Sequence, residues 1–241
     1  MESPPTLPNS RDYLRHIAYD SVVFGFSDNT LKILIMEYHN THYFALPGGF
    51  VKRDENLDDA VKRGLKERTG LKNLFLEQFY TFGDCERYNP EIKKELLEAS
   101  GFSIPDEAHW MLDRFVTIAY YALIDHRHVT PTPDELSDSL AWHPVNKLPP
   151  LILDHEMIVG KALETLRRDL DRKIVGRNLM PPKFTMKELQ RVHEAILGHP
   201  LQRTNFQRKM LNMGILRRHE KYFTGKSHKA PYLYSFVEGK D

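Results

Sequence analysis

The stretch GGFVKRDENLDDAVKRGLKERTGL, residues 48–71, decides how the first two thirds of this chain fold. Two glycines precede a segment with helical periodicity, so a helix is predicted from 57 to 68, and Gly70 is expected to end it. Its predicted buried stripe is Leu57, Ala60, Val61 and Leu65. On this helix the side chains at positions 64, 67 and 68 project from one face, because they lie three and four residues apart.

The spacing of this stretch resembles the Nudix box. The matching positions are Gly49, Glu55, Arg63, Leu65, Glu67, Gly70 and Leu71. In that family three glutamates on one helix face form an oxygen cluster for Mg²⁺ or Mn²⁺, which clamps a diphosphate and activates water. Here the three positions carry Gly64, Glu67 and Arg68, so one carboxylate is left.

The arginine opposes a divalent cation but can grip a phosphate with two hydrogen bonds. The alternative is that Arg68 only pairs with an acidic side chain on a solvated face. On either reading we expect no catalytic residues, no cofactor and no metal, with Mg²⁺ at Glu67 only if some hydrolase activity persists. A small ligand is expected to bind at Gly48, Gly49, Arg63, Glu67 and Arg68.

Composition is that of a globular protein with two unlike surfaces. Of the 241 residues, 41% are hydrophobic and 28% charged. The single cysteine, the lack of a long apolar run and the lack of a signal pattern predict a cytoplasmic protein without disulfides or membrane spans. Residues 183–241 hold 12 basic and 5 acidic side chains, a net charge of +7, and the remainder carries −6. A basic end predicts a nucleic-acid partner.

Apolar, β-branched runs predict strands at 21–26, 31–39, 74–82, 114–124 and 140–145, with a turn at Asp28 and Asn29. The fold class is therefore α/β (α+β), and the resemblance implies the Nudix α/β/α sandwich with a mixed sheet over residues 13–153, after a disordered tail at 1–12. An insertion at about 86–112 either reshapes the pocket, offering Arg87, Tyr88, His109 and Trp110, or packs outside as dimer surface.

Residues 154–182 form a connecting helix and linker, with Asp154 as the expected helix cap and prolines 181 and 182 at the boundary. A capping box at Thr185 and Glu188 then starts one helix, and a second box at Thr204 and Gln207 starts another. Strands are predicted at 215–223 and 232–237.

This arrangement over 183–241 resembles a winged helix-turn-helix domain with its second helix in the major groove. On that helix one face is apolar and the other carries side chains that hydrogen-bond base edges or phosphates. The candidate DNA contacts are Arg203, Thr204, Asn205, Arg208, Lys209, Asn212, Arg217, Arg218, Lys226, His228 and Lys229.

Nearly the whole chain thus resembles the Nudix-related transcriptional regulators, the NrtR family with its AraR branch. The resemblance implies a repressor that binds a palindromic operator as a homodimer and senses ADP-ribose, in the branch that controls NAD metabolism, or a sugar, in branches of sugar metabolism. Two alternatives stay open: an active Nudix hydrolase of nucleoside diphosphate derivatives such as ADP-ribose, and an RNA-binding Nudix protein.

Overall fold

The computed structural model describes residues 7–71, 75–104, 109–170, 175–223 and 230–237. Its larger sheet contains β1 (Tyr13–Ser27), β2 (Thr30–Tyr38), β3 (Phe44–Ala45), β4 (Gly48–Lys52), β5 (Phe75–Phe82), β6 (Val116–Ile124) and β7 (Ser137–Pro144). The helices are α1 (Leu57–Thr69), α2 (Pro90–Ala99), α3 (His155–Asp169), α4 (Met186–Leu197) and α5 (Arg203–Asn212). None of these described helices has the length and hydropathy that a bilayer crossing needs.

The larger sheet is mixed and centres on β1. β1 runs antiparallel to β2 and β4 and parallel to β6, while β5 pairs antiparallel with β6 and β7 with β2. The β1–β2 turn lies at Asp28 and Asn29, whose φ angles of 52° and 57° suit a two-residue hairpin. The predicted strands are therefore confirmed. β1 begins earlier than predicted, because its polar first half is ordered by pairing with β4 and β6 rather than by its own hydrophobicity.

Successive side chains of β1 point to opposite faces of this sheet, and each face is covered by helices. Val22 and Phe24 belong to the core beneath α3 and α4, while Tyr19 and Val23 belong to the core beneath α1. This layering is the predicted α/β/α sandwich with a mixed sheet. α1 ends at Gly70, whose φ is 73°, as expected.

A second, three-stranded sheet combines β8 (Phe184–Thr185), β9 (Leu216–Lys221) and β10 (Tyr232–Phe236) in the order β8-β10-β9. Together with α4 and α5 it forms the predicted winged helix. Its buried residues Phe184, Val192 and Phe206 belong to the same hydrophobic cluster as Phe24 of β1. α4 therefore packs against the larger sheet, and the two halves of the chain share one core.

The insertion folds around its own small core of Leu97, Phe102, Trp110, Met111, Leu112 and Phe115. Asn89 is the N-cap of α2, and its side chain accepts a hydrogen bond from the Ile92 backbone at 3.1 Å. Of the predicted tail 1–12, residues 7–12 contact the domain: Pro8 accepts a hydrogen bond from Trp110, and Asp12 accepts one from Arg53. Residues 1–6 lie outside the described residues.

Candidate ligand pocket and nucleic-acid interface

A cavity lies between β1, the glycine pair and the insertion helix α2. Gly48, Gly49 and Arg68, three of the five predicted ligand-binding residues, line it. α2 lines the opposite side with Ile92, Lys93, Leu96 and Leu97. The insertion therefore shapes the pocket, which is the first of the two roles considered for it.

Tyr19 of β1 explains the glycine at position 64. A Cβ added to Gly64 would lie 2.1 Å from the Tyr19 Oη atom, and one added to Gly49 would lie 2.6 Å from the same atom. The ring is only 2% exposed, so it cannot swing aside into solvent. Burial raises the pKa of the Tyr19 phenol, which favours its neutral form. A phenol thus occupies the place where a side chain at position 64 would begin.

This contact gives a testable expectation for Gly64→Ala. The added methyl group gains roughly 1 kcal/mol of helix propensity, but the clash with Tyr19 costs about 1–3 kcal/mol. Chemical denaturation should therefore show a net loss of stability in the wild-type background. In a Tyr19→Phe background, which lacks the clashing oxygen, the same substitution should be neutral or stabilising. An equal effect of Gly64→Ala in both backgrounds would contradict this account.

Arg68 is both a pocket residue and a paired residue. Its Nη2 donates to Asp134 Oδ2 at 2.5 Å, and its Nη1 donates to the Gly64 carbonyl at 3.4 Å. Its side chain is only 13% exposed, so the pair lies at the cavity rather than on a solvated face. A charge-assisted hydrogen bond of this kind holds the guanidinium in place at the pocket wall.

Arg63 and Glu67 have other surroundings. Arg63 binds Glu55 with two hydrogen bonds of 2.7 and 3.0 Å and donates to the Phe50 carbonyl at 3.2 Å, which braces the glycine loop against α1. Beside this guanidinium the pKa of Glu55 is lowered. Glu67 is 60% exposed and lies 3.8 Å from Arg63 Nη1. Neither Arg63 nor Glu67 lines the cavity.

The residues at the Nudix-box helix do not fit a divalent ion. Position 64 has no side chain, Arg68 brings a positive charge, and the Glu55 carboxylate is bound by Arg63. Across the ranges that the structure describes, no group of three or more His, Cys, Asp or Glu side chains is arranged to hold a metal. Mg²⁺ prefers several oxygen ligands in octahedral geometry, which this face does not offer.

A buried ion pair that the sequence did not indicate closes one end of the pocket. Arg87 binds Asp154 through Nε and Nη2 at 2.9 and 3.0 Å and donates from Nη1 to the Phe115 carbonyl at 2.8 Å. Asp20 lies 3.7 Å from Arg87 and 3.9 Å from His155. Asp154 does sit at the N-cap of α3, but its side chain makes no cap hydrogen bond, so the predicted capping role is wrong. The nearby guanidinium outcompetes the helix amides for the carboxylate.

The other residues predicted from the insertion lie outside this pocket. Tyr88 is 47% exposed. Trp110 stacks on Tyr13, with ring centroids 5.7 Å apart, and donates to the Pro8 carbonyl. His109 precedes Trp110 and does not line the cavity. Only Arg87 of the four contacts it, and Lys93, which also lines the cavity, was not among the residues predicted from the sequence.

The second helix of the winged helix presents a polar face to solvent. Phe206 and Met210 are buried, as predicted. The exposed polar residues of α5 are Arg203, Thr204, Asn205, Arg208, Lys209 and Asn212. The helix begins at Arg203, not after Thr204, because the Gln202 side chain caps it by accepting from the Asn205 backbone at 2.7 Å. The first capping box, at Thr185 and Glu188, is confirmed.

Exposed cations continue from α5 onto β9. Arg217 and Arg218 are exposed, and the Arg218 guanidinium lies 4.8 Å from the Tyr232 ring centroid. From 195 to 219 the sequence contains no Asp or Glu, so α5 itself and the positions around Arg217 and Arg218 carry no carboxylate that would repel a phosphate. Lys226, His228 and Lys229 lie outside the described residues. The geometry suits insertion of α5 into a major groove with β9 along the backbone.

Comparison with known proteins agrees with both halves of the chain. Residues 14–166 match the family model of the NUDIX domain, and residues 176–236 match that of the NrtR DNA-binding winged helix domain. An ADPR-responsive transcriptional repressor of Acinetobacter baylyi is 31% identical over 204 residues, which cover 82% of this chain and 72% of that protein.

Two solved structures share the architecture. The Shewanella oneidensis NrtR in complex with a 27mer DNA has a TM-score of 0.70 at 27% identity, covering 92% of this chain and 94% of that one. A MutT/nudix family protein from Enterococcus faecalis has a TM-score of 0.65 at 21% identity, covering 96% and 89%, and supports the fold alone.

Proposed function

This chain belongs to the Nudix-related transcriptional regulators of the NrtR type, and we propose that it is a repressor whose binding to operator DNA responds to an ADP-ribose-like effector in its Nudix pocket. The single observation that carries this proposal is the pairing of a Nudix helix that cannot assemble a divalent-ion site with a winged helix whose recognition helix is cationic and free of acidic residues, both on the same core. Binding a phosphate-bearing ligand and binding DNA are the activities that this pairing permits.

The DNA side of the proposal rests on exposure and residue type. Arg and Asn side chains make bidentate contacts with guanine and adenine edges, and α5 carries both types on its solvent face. The residues proposed to contact DNA are Arg203, Thr204, Asn205, Arg208, Lys209, Asn212, Arg217 and Arg218. We propose that a homodimer places two such helices about 34–36 Å apart, or a multiple of this distance, on a palindromic site.

The effector side rests on the chemistry of the cavity. Phe50, Met111 and Phe115 give it an apolar and aromatic wall, while Arg68, Arg87 and Lys93 supply cations. An adenine ring and a diphosphate match these two features. The Acinetobacter relative is described as ADPR responsive, which supports ADP-ribose over a sugar. We propose that Gly48, Gly49 and Arg68 contact this ligand, while Arg63 holds the glycine loop through Glu55 and Phe50 and Glu67 lies outside the cavity.

We propose that α3 couples the pocket to the winged helix. At its start, Asp154 holds Arg87 and His155 lines the cavity. Toward its other end, Arg167 Nε donates to the Ile196 carbonyl in the last turn of α4 at 2.8 Å. A 15-residue helix spans about 22 Å. A ligand that favours one position of α3 therefore favours one placement of the recognition helix, and only such a difference in affinity can regulate DNA binding.

The test is DNA binding with and without effector. Duplexes selected from a random library by the purified protein are labelled, and their affinity is measured by fluorescence anisotropy with ADP-ribose, adenosine or arabinose present. We expect ADP-ribose to change the dissociation constant by about 5- to 150-fold. Selection of no duplex, or a preference for single-stranded RNA, would overturn the DNA assignment. If only arabinose changes the DNA affinity, the effector is a sugar and not ADP-ribose.

Arg167→Ala should uncouple the two sites. We expect the ratio of DNA affinities with and without ADP-ribose to fall by at least about threefold, because the link to the end of α4 is lost. Arg168→Ala is the matched control, since the Arg168 side chain is 57% exposed and pairs only with its neighbour Asp169 among the contacts described. If both variants keep the wild-type ratio, α3 does not carry the coupling through Arg167.

A further inference from the structure

The inner face of α2 carries one cation. Ile92 and Leu96, four residues apart, and Lys93 and Leu97, likewise four apart, all line the cavity. The next residue, Lys94, is exposed on the outside of the same helix. The two adjacent lysines therefore have the same chemistry and opposite surroundings.

Lys93 differs from the other cations of the pocket in its partners. Arg87 is bound by Asp154, and Arg68 is bound by Asp134. Among the described residues Lys93 makes no salt bridge; its Nζ atom donates to the Asp113 carbonyl and lies 4.6 Å from the Phe115 ring centroid. An ammonium group has three donors, so two remain for a ligand.

We propose that Lys93 anchors a phosphate group of the effector, an assignment that rests on the proposed effector response. Arg87 has its donors directed to Asp154 and Phe115, and Arg68 is held by Asp134, so both shape the wall. Among the described residues, Lys93 supplies the positive charge of this pocket that no carboxylate holds in a salt bridge. Because Lys93 belongs to the insertion, this residue adapts the Nudix pocket of this chain to its ligand.

The electrostatics of the site make the anchor sensitive to pH. The pKa of Lys93 is lowered to about 8, mainly by burial and in addition by the neighbouring Arg87, while Asp113 acts in the opposite direction. The other titratable groups are Glu91, Lys94 and Glu95 on α2 itself, Asp20, Asp154 and His155 around Arg87, and Arg68 with Asp134 elsewhere on the cavity wall. A bound phosphate raises the pKa of Lys93, since it favours the charged form.

By linkage, affinity should be constant below the pKa of the free protein and should fall above it. Between the pKa of Lys93 in the free protein and its higher pKa in the complex, the affinity should decrease by up to tenfold per pH unit. Above the higher pKa the affinity should decrease no further. Burial raises the pKa of the pocket phenols Tyr19 and Tyr38, so they stay neutral in this range.

The experiment is isothermal titration of the full chain with ADP-ribose at pH 7 and pH 9. At pH 7, Lys93→Gln should weaken binding by about 10- to 100-fold, whereas Lys94→Gln should change it by no more than about twofold. From pH 7 to pH 9 the wild type should lose about tenfold in affinity, and Lys93→Gln should lose none. Lys93→Arg should keep its affinity at both pH values, because a guanidinium stays protonated.

Equal affinities of the Lys93→Gln and Lys94→Gln variants would overturn the assignment, provided that their melting temperatures match the wild type. If Lys93→Gln does not fold, the loss of pH dependence in Lys93→Arg decides the question. If the wild type does not bind ADP-ribose, the proposed effector fails, and inorganic pyrophosphate becomes the probe. If pyrophosphate binding depends on Lys93 and not on Lys94, Lys93 is supported as the phosphate anchor. If pyrophosphate binding does not depend on Lys93, or no binding occurs, this role of Lys93 is wrong.

Discussion

Asp154→Ala should lower the free energy of unfolding by about 3–5 kcal/mol, the largest loss expected for a single substitution discussed for this protein. Arg87 is 8% exposed, and its bidentate bond to Asp154 is its closest ionic contact. Removing the carboxylate leaves a guanidinium in a site with little water, and Asp20 at 3.7 Å replaces only part of the lost attraction. Urea denaturation monitored by circular dichroism measures the loss.

Two further variants separate the ion pair from a helix-cap effect. Asparagine caps helices as well as aspartate does, so Asp154→Asn should stay destabilised if charge pairing is the cause and should recover if capping is. The double variant Arg87→Met with Asp154→Leu should lose less than Asp154→Ala, because no unpaired charge is left buried. Glu164→Ala on the same helix, where the Glu164 side chain is 64% exposed, is the control, with an expected loss of about 0–1 kcal/mol.

Arg208→Ala should weaken binding to the preferred operator by about 1–3 kcal/mol and relax the base preference at one position of each half-site. The Arg208 side chain is exposed on α5 and donates to Asn205 Oδ1 at 3.1 Å, so the two side chains support each other at the proposed groove face. Competition between the selected duplex and single-base variants, measured by anisotropy, gives the change at each position.

Arg217→Ala tests the other kind of contact. A phosphate contact carries no sequence information, so all duplexes should weaken alike and the slope of log affinity against log salt should decrease by about one. Arg53→Ala, an exposed arginine in the loop before α1, should change neither quantity. If Arg208→Ala weakens binding to all duplexes equally and leaves the base preference intact, Arg208 contacts the DNA backbone and not a base.

Local sequence patterns predicted most of the fold. The family resemblance is confirmed, as are the bounds of α1 within one residue, its end at Gly70 and the capping box at Thr185. The two faces of α5 also follow from spacing alone, since Phe206 and Met210 are four residues apart. The predicted start of α5 was wrong by two residues because Gln202, whose residue type is not among the preferred N-caps, accepts the capping hydrogen bond.

The amino-acid sequence by itself determined the family, the element order and the basic recognition helix, because helix periodicity, caps and turn residues act between neighbours a few positions apart. Only the tertiary structure shows why position 64 is a glycine, which residue pairs with Arg87 and where Lys93 lies. In each, the deciding contact joins separate elements: Tyr19 with α1, Arg87 with Asp154 across 67 residues, and α2 with the cavity wall. Steric exclusion and charge pairing act through space between elements that are distant in sequence, so the spacing of residues along the chain does not predict them.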